Sequence, residues 1–137
     1  MIGKDFIERQ IEILTAVIAK TVFKKNINAH EEVKDEINKG CKTLIGLDYN
    51  FINNLPLPQV ISFFSITGTL DTTKALVAAK LFHLASDSGT EEENRIQKEK
   101  SLYMYNALLN SLRTDEFGDL KNEVTADIEK IKSELQS

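Results

Sequence analysis

The chain contains little cysteine, proline or glycine, and each shortage excludes a class of structure. Cys41 is the only cysteine, so an intramolecular disulfide is impossible and a reducing compartment is favoured. Two prolines and six glycines among 137 residues predict long helices with short connections. No alternating run rich in Val, Ile and Thr predicts a β-strand.

An excess of basic residues is also missing. The formal net charge is −4 and the pI is about 5.2, whereas a nucleic-acid or membrane-surface binder should present a basic face. No apolar run reaches the ~18 residues that a membrane span requires. Acids, rather than the bases of a signal peptide, precede the apolar segment 13–19. We therefore expect a cytoplasmic protein that binds neither nucleic acid nor membrane.

What is present is an ordinary globular composition. Hydrophobic residues make up 42% of the chain and charged residues 28%, which is typical of soluble globular proteins and argues against disorder. The length is close to the commonest size of one domain. We therefore predict a single helical domain spanning residues 1–137.

Apolar residues recur at helical spacing and predict an all-α fold of about five main helices plus one or two short ones. The main helices are expected at about 5–25, 28–45, 71–87, 91–112 and from Asp115 or Asp119 to 136, with short helices between 48 and 68. The predicted N-terminal caps are Asn28, Asp48, Asp71 and two capping boxes, Asp5 with Glu8 and Thr90 with Glu93. Gly46 and Gly68 are predicted to end helices.

The first helix has an unusually broad apolar face. One stripe consists of Ile7, Ile11, Leu14, Ile18 and Val22, and Phe6, Ile13, Val17 and Phe23 widen it. Such a face predicts a central helix contacted from two sides, or a surface for self-association.

Candidate catalytic and metal-binding patterns fail on spacing. His30 and Glu31 begin a His-Glu-x-x-His pattern, but Lys34 stands where the second imidazole must be. His83, the other histidine, is interpreted as a helix-packing or half-exposed side chain. Cys41 lies on an apolar stripe and is interpreted as a structural thiol.

Phosphate-binding and carboxylate patterns fail as well. Gly40 and Gly46 flank Lys42 without the spacing of a phosphate-binding loop. The acid pairs fall in first helical turns, where the helix dipole stabilises them, and the Glu-x-x-His repeats of a di-iron bundle are missing. The prediction is a protein that is not an enzyme, with no cofactor and with no catalytic, cofactor-binding or metal-binding residues.

A weak repeat signal occurs in the second half of the chain. The spacing of the first helix and turn of a tetratricopeptide repeat is matched by Ala78, Leu81, Phe82, Ala85 and Gly89. The spacing of the second helix of that repeat is matched by Ser101, Tyr105 and Leu108.

The whole chain resembles an uncharacterised family of tetratricopeptide-like helical proteins from Gram-positive bacteria. The resemblance rests on segments 5–12 (Asp-Phe-Ile-Glu-Arg-Gln-Ile-Glu), 44–48 (Leu-Ile-Gly-Leu-Asp) and 68–71 (Gly-Thr-Leu-Asp). It implies antiparallel helix hairpins in a right-handed superhelix and a bacterial cytoplasmic setting. The family supplies no active-site residues.

Three functional hypotheses follow. The leading one is a non-enzymatic adaptor that binds a protein or peptide partner, with a homo-oligomer through the first helix as one form of it. The second is a small-molecule-binding protein or an enzyme of unrecognised class, with a pocket where His83 and Tyr103 converge. The third is peripheral membrane attachment through residues 1–25, which requires anionic lipid.

Overall fold

The computed structural model describes residues 4–66, 68–112 and 118–136, and α-helix predominates throughout them. The α-helices of these ranges are α1 Lys4–Asn26, α2 His30–Leu44, α3 Tyr49–Asn53, α4 Leu57–Phe63, α5 Thr72–Leu84, α6 Glu91–Ser111 and α7 Gly118–Leu135. Five are long and two are short, and a 3₁₀ turn, Ala85–Asp87, follows α5. The all-α prediction is confirmed for the described residues.

The chain divides into two compact units, Met1–Leu55 and Pro56–Ser137. The first contains α1 to α3, and the second contains α4 to α7. Each unit is built around its own helix contacts. The expectation of one domain over 1–137 stays a prediction.

In the first unit, the turn between α1 and α2 differs from the prediction at Asn28. This residue has φ of 59°, a left-handed conformation that asparagine tolerates better than most side chains. Its N–H donates to the carbonyl oxygen of Lys25 at 3.0 Å. The predicted capping of α2 by Asn28 is wrong, because Asn28 terminates α1 and Ala29 occupies the N-cap position without a side-chain bond.

The packing face of α1 is centred on Leu14 and Thr21, which are 2% and 0% exposed. A Cβ atom added at Gly40 of α2 would lie 2.7 Å from Cγ1 of Val17, so this glycine permits the two helices to approach closely. The Thr21 hydroxyl donates to the carbonyl oxygen of Val17 at 2.8 Å, which satisfies it inside the hairpin. Val22 was expected in the packing stripe but is exposed, because adjacent helix positions point about 100° apart.

The end of α2 follows the sequence pattern more closely. Gly46 has φ of 91° and ends the helix in the left-handed conformation that glycine adopts without strain, as predicted. Asp48 occupies the N-cap position of α3 but makes no side-chain cap bond. Its carboxylate instead lies 3.1 Å from Nζ of Lys42. Oδ1 of Asn38 accepts the bond from the Tyr49 N–H at 3.0 Å.

The second unit begins with α4, which carries Pro58 in its first turn as predicted. Two two-residue strands follow, β1 Ser65–Ile66 and β2 Thr69–Leu70, paired antiparallel. Gly68, with φ of 81°, lies in the turn between them. The prediction that Gly68 ends a helix is therefore wrong, because α4 already ends at Phe63 and the left-handed residue serves a minimal hairpin.

Three long helices complete the second unit. The predicted cap of α5 is confirmed, since the Lys74 N–H donates to Oδ1 of Asp71 at 3.0 Å, and the Thr90–Glu93 capping box of α6 is also present. On α7, the buried stripe consists of Val124, Ile128 and Ile131. The alternative start of this helix at Asp115 lies outside the described residues.

Buried alanines of α5 let α6 pack closely against it. The buried side chains of α5 are Ala75, Leu76, Val77, Ala78, Ala79, Leu81 and Phe82. The Ser101 hydroxyl of α6 donates to the carbonyl oxygen of Ala79 at 2.7 Å, so that side chain reaches the α5 backbone directly. The tight α5–α6 contact thus comes from small side chains on α5 and a serine on α6.

Candidate interaction surface

Large apolar side chains are exposed at the C-terminal end of α1. Phe23 is 59% exposed, Ile27 53% and Val22 42%. The Ile27 N–H donates to the carbonyl oxygen of Phe23 at 3.2 Å, so the helical hydrogen-bond pattern continues to this residue and places the two side chains on one face. Clustered exposed apolar side chains are a common mark of an interaction site.

Charged groups border this apolar cluster. Nζ of Lys24 lies 6.0 Å from the centroid of the Phe23 ring, at the outer limit of a cation–π contact. The same ammonium lies 3.4 Å from Oε2 of Glu32 on α2. An aromatic side chain bordered by a partly solvated ion pair has the arrangement of an interface centre with a polar rim.

The cluster continues along α1 into a face that we call the outer face. Its residues are Glu8, Glu12, Thr15, Ala16, Ala19, Val22, Phe23 and Asn26, all exposed. Alternating spacings of four and three residues relate most of them, the pattern by which one helix packs along another. The Thr15 hydroxyl donates to the carbonyl oxygen of Ile11 at 2.9 Å, so burying this threonine would leave no unsatisfied hydroxyl proton.

A partly buried polar cluster, which the sequence analysis missed, lies in the second unit. Nζ of Lys80 on α5 lies 2.8 Å from Oε1 of Glu123 and 3.0 Å from Oδ2 of Asp127, both on α7. The Tyr105 hydroxyl of α6 donates to that same Asp127 oxygen at 3.0 Å. We call these four residues the polar cluster.

Electrostatics keep Lys80 protonated and Tyr105 neutral. Burial alone would lower the pKa of Lys80, but its hydrogen bonds to Glu123 and Asp127 outweigh this effect and raise the pKa above its ordinary value. Burial, with the Asp127 charge second, raises the pKa of Tyr105. A lysine held charged is a poor nucleophile and a tyrosine held neutral is a poor base, so the geometry favours a structural role.

The sequence contains one signal for the polar cluster and one that points away from it. Lys80 is the one charged residue in the apolar run 75–82, which indicates a buried cation in need of partners. Asp127 also lies three residues before Lys130, a spacing that predicts a solvated ion pair along one helix. The structure instead places its carboxylate against Lys80 and Tyr105.

A partly open cleft of about 530 Å³ lies beside the N-terminal end of α6. The cleft is lined by Glu91, Glu92, Asn94, Arg95, Lys98, Glu134 and Leu135. Arg95 is engaged by Glu99 at 2.8 Å and Glu92 at 3.1 Å. The lining includes neither His83 nor Tyr103, the residues expected to converge at a pocket.

The two histidines and the cysteine have ordinary surroundings. Nε2 of His83 lies 3.1 Å from Oε1 of Glu134, and both side chains are partly exposed, as interpreted for this histidine. His30 is exposed. Cys41 is fully buried, and burial, followed by the charge of Asp48, raises the pKa of its thiol to about 12. Such a thiol is largely protonated at neutral pH, which favours the structural interpretation.

The described ranges contain neither a metal-binding cluster nor a helix that could cross a membrane. Within 4–66, 68–112 and 118–136, no group of three or more His, Cys, Asp or Glu side chains could hold a metal ion. None of the helices in these ranges combines the length and apolar character needed to cross a membrane.

No protein family, curated protein or solved structure matches this chain. The resemblance to tetratricopeptide-like proteins therefore stays a prediction that rests on the quoted segments.

Proposed function

We propose that this chain is a non-enzymatic helical adaptor of the bacterial cytoplasm that binds a protein partner through the outer face of α1. The proposal includes the tetratricopeptide-like arrangement of antiparallel hairpins in a right-handed superhelix. One observation carries it: Val22 and Phe23 of the outer face are large exposed apolar side chains at the end of α1, and exposed Ile27 directly follows that helix.

Covering these side chains would supply useful binding energy. Full burial of a side chain such as phenylalanine contributes about 1.5–3 kcal/mol relative to full exposure. Because Phe23 is already partly covered, burying the rest of its side chain would contribute less than this full value. Its contribution would still be the largest in the cluster. Aromatic residues surrounded by weaker contacts are typical hot spots of protein interfaces.

The chemistry of the surface favours a protein over other partners. The apolar side chains around Phe23 are bordered by a cation, Lys24, and an anion, Glu32. Nucleic acid would require a basic surface instead. Membrane attachment through α1 would also require a basic face. The outer face instead carries Glu8 and Glu12 toward its N-terminal end.

The proposal is tested by photo-crosslinking in the native cell. A photoreactive amino acid at position 23 should capture a partner, whereas the same residue at Tyr103, which is 40% exposed on α6, should not. Capture supports the proposal only if the partner is identified by mass spectrometry and the adduct is lost in a Val22→Asp background. Equal labelling at both positions, or none at position 23, would overturn it.

The cleft beside α6 favours a second candidate, a small-molecule-binding protein or an enzyme of unrecognised class. It is the weaker candidate because Arg95 and Glu134 are already engaged by other side chains. A thermal-shift screen of anionic metabolites tests it. A metabolite that raises the melting temperature of the wild type and of Lys130→Ala, but not of Arg95→Ala, would favour small-molecule binding in this cleft.

A further inference from the structure

We infer that the partner of the outer face is a second copy of this chain, with two α1 helices antiparallel about a two-fold axis that passes between Ala16 and Ala19. This inference rests on the proposed interaction function and names its partner. A two-fold dimer uses the same surface on both copies, so the surface must be complementary to itself. The outer face of α1 meets this condition in shape and in charge.

The centre of the outer face allows two helices to approach closely. Thr15, Ala16 and Ala19 are exposed and small, and the Thr15 hydroxyl already donates within its own helix. Ala16 of each copy would face Ala19 of the other. Small residues at a crossing point bring two helix axes close together, and the larger side chains on either side can then interlock.

The larger apolar side chains then fall on either side of the crossing. In the antiparallel arrangement Phe23 of one copy reaches the level of Glu12 of the other. The aliphatic part of Glu12 can pack against the aromatic ring while its carboxylate stays at the edge in water. Each copy contributes one such contact, so the two Phe23 rings are covered at opposite ends of the pair.

Charge selects the antiparallel direction. Glu12 on the outer face and Lys20 at the border of that face are both exposed and lie on opposite sides of the proposed axis. Antiparallel pairing brings Lys20 of one copy to within about one helical turn, 5.4 Å along the helix axis, of the level of Glu12 of the other. Parallel pairing would place Glu12 against Glu12, and like charges in such positions are destabilising.

The small area of a contact between two single helices limits the affinity of the dimer. The 23 residues of α1 span about 34 Å at 1.5 Å per residue. A single helix pair of this length buries less than the roughly 1,200–2,000 Å² of a standard stable interface. We therefore expect a dimer that dissociates on dilution, with a dissociation constant on the order of micromolar.

Sedimentation equilibrium of the full chain, from roughly 1 µM to 1 mM, tests the inference. The wild type should pass from monomer to dimer, and Phe23→Asp should remain monomeric throughout. Tyr103→Asp is the matched control, since Tyr103 is also exposed, on α6, and it should dimerise as the wild type does. Circular dichroism of each variant confirms that helical content is retained.

A charge-swap experiment tests the direction of the pair. Glu12→Lys and Lys20→Glu should each weaken dimerisation about tenfold, a change of 1.4 kcal/mol. An equimolar mixture of the two variants should form a dimer more readily than either variant alone, because opposite charges then meet at both contacts. A wild-type dimer without this recovery in the mixture would overturn the antiparallel geometry.

Thiol crosslinking fixes the register. A bismaleimide should join Ala16→Cys to Ala19→Cys in a mixture faster than it joins either variant to itself, and buried Cys41 should not compete. A chain that is monomeric at every concentration would overturn the inference. Photo-crosslinking at position 23 then separates the two proposals: capture of a different protein leaves the adaptor function standing, and no capture overturns both.

Discussion

The hydroxyl of Tyr105 on α6 and Oδ2 of Asp127 on α7 are joined by a hydrogen bond of 3.0 Å. The same carboxylate oxygen lies 3.0 Å from Nζ of Lys80 on α5. One acid of the last helix therefore binds side chains of both preceding helices. Because hydrogen bonds are directional and apolar contacts are not, these two bonds contribute to the register in which α7 packs.

Replacing Tyr105 with phenylalanine should lower the free energy of unfolding by about 1 kcal/mol, since it removes one hydrogen bond without changing the shape of the core. The buried ring remains, and Asp127 keeps its contact with Lys80. Urea denaturation measures the change. Tyr103→Phe, which alters an exposed tyrosine of the same helix, should have no measurable effect.

Replacing Lys80 with methionine should cost more, about 1–3 kcal/mol. The change removes the cation and leaves partly buried Asp127 and exposed Glu123 without their shared partner. Adding Asp127→Asn should recover part of the loss, because an amide tolerates the absence of a cation better than a carboxylate. A double-mutant cycle with strictly additive effects would show that Lys80 and Asp127 do not interact.

The protein should lose stability at alkaline pH. Cys41 has a folded-state pKa of about 12 against an ordinary value of 9.0, and the pKa values of Lys80 and Tyr105 are also raised. Each group holds its proton more tightly in the folded state. The stability it contributes is therefore complete below its unfolded-state pKa and is lost as pH rises through the folded-state value.

Urea denaturation midpoints should consequently fall from about pH 9 upward. In Cys41→Ala the decline should begin nearer pH 10, where tyrosine and lysine ordinarily titrate. Identical pH profiles for the wild type and this variant would contradict the assignment of the raised thiol pKa. The cavity that the substitution creates lowers the urea midpoint at every pH. The steepness with which the midpoint falls as pH rises therefore reports the thiol, whereas the absolute midpoint does not.

Gly40→Ala should destabilise the α1–α2 hairpin even though alanine is the better helix former by about 1 kcal/mol. The added methyl would meet Cγ1 of Val17 at 2.7 Å, and overpacking of this kind costs about 1–3 kcal/mol. Thermal and urea unfolding should show a net loss. The double variant Gly40→Ala, Val17→Ala should lose less free energy of unfolding than the sum of the two single variants. Additive losses would show that the side chains at positions 40 and 17 do not meet.

Local sequence patterns predicted the features that depend on neighbouring residues. The capping box of Thr90 with Glu93 and the cap at Asp71 are complete within four residues of sequence, so no tertiary contact is needed to form them. The prediction at Asn28 is wrong because asparagine suits both N-caps and left-handed turns, and the prediction at Gly68 is wrong because a left-handed glycine suits both helix ends and hairpin turns. Which structure forms depends on what the flanking segments pack against.

The polar cluster could not be predicted in the same way. Lys80, Tyr105 and Asp127 are separated by 22 or more residues, and their meeting depends on how three helices are rotated about their axes. The burial of Thr21 in place of Val22 has the same origin, since a small rotation of α1 exchanges adjacent positions. Periodicity predicts that a helix has a packing face, but it defines the centre of that face only to within about one residue.

A nuclear magnetic resonance dilution series of the isotope-labelled chain would report, residue by residue, which surface becomes covered when two copies associate. The resonances of Glu12, Ala19 and Phe23 should shift and broaden as the protein concentration rises, while that of Tyr103 stays unchanged. Spectra that are identical at every concentration, or changes confined to the cleft around Arg95, would contradict pairing through the outer face.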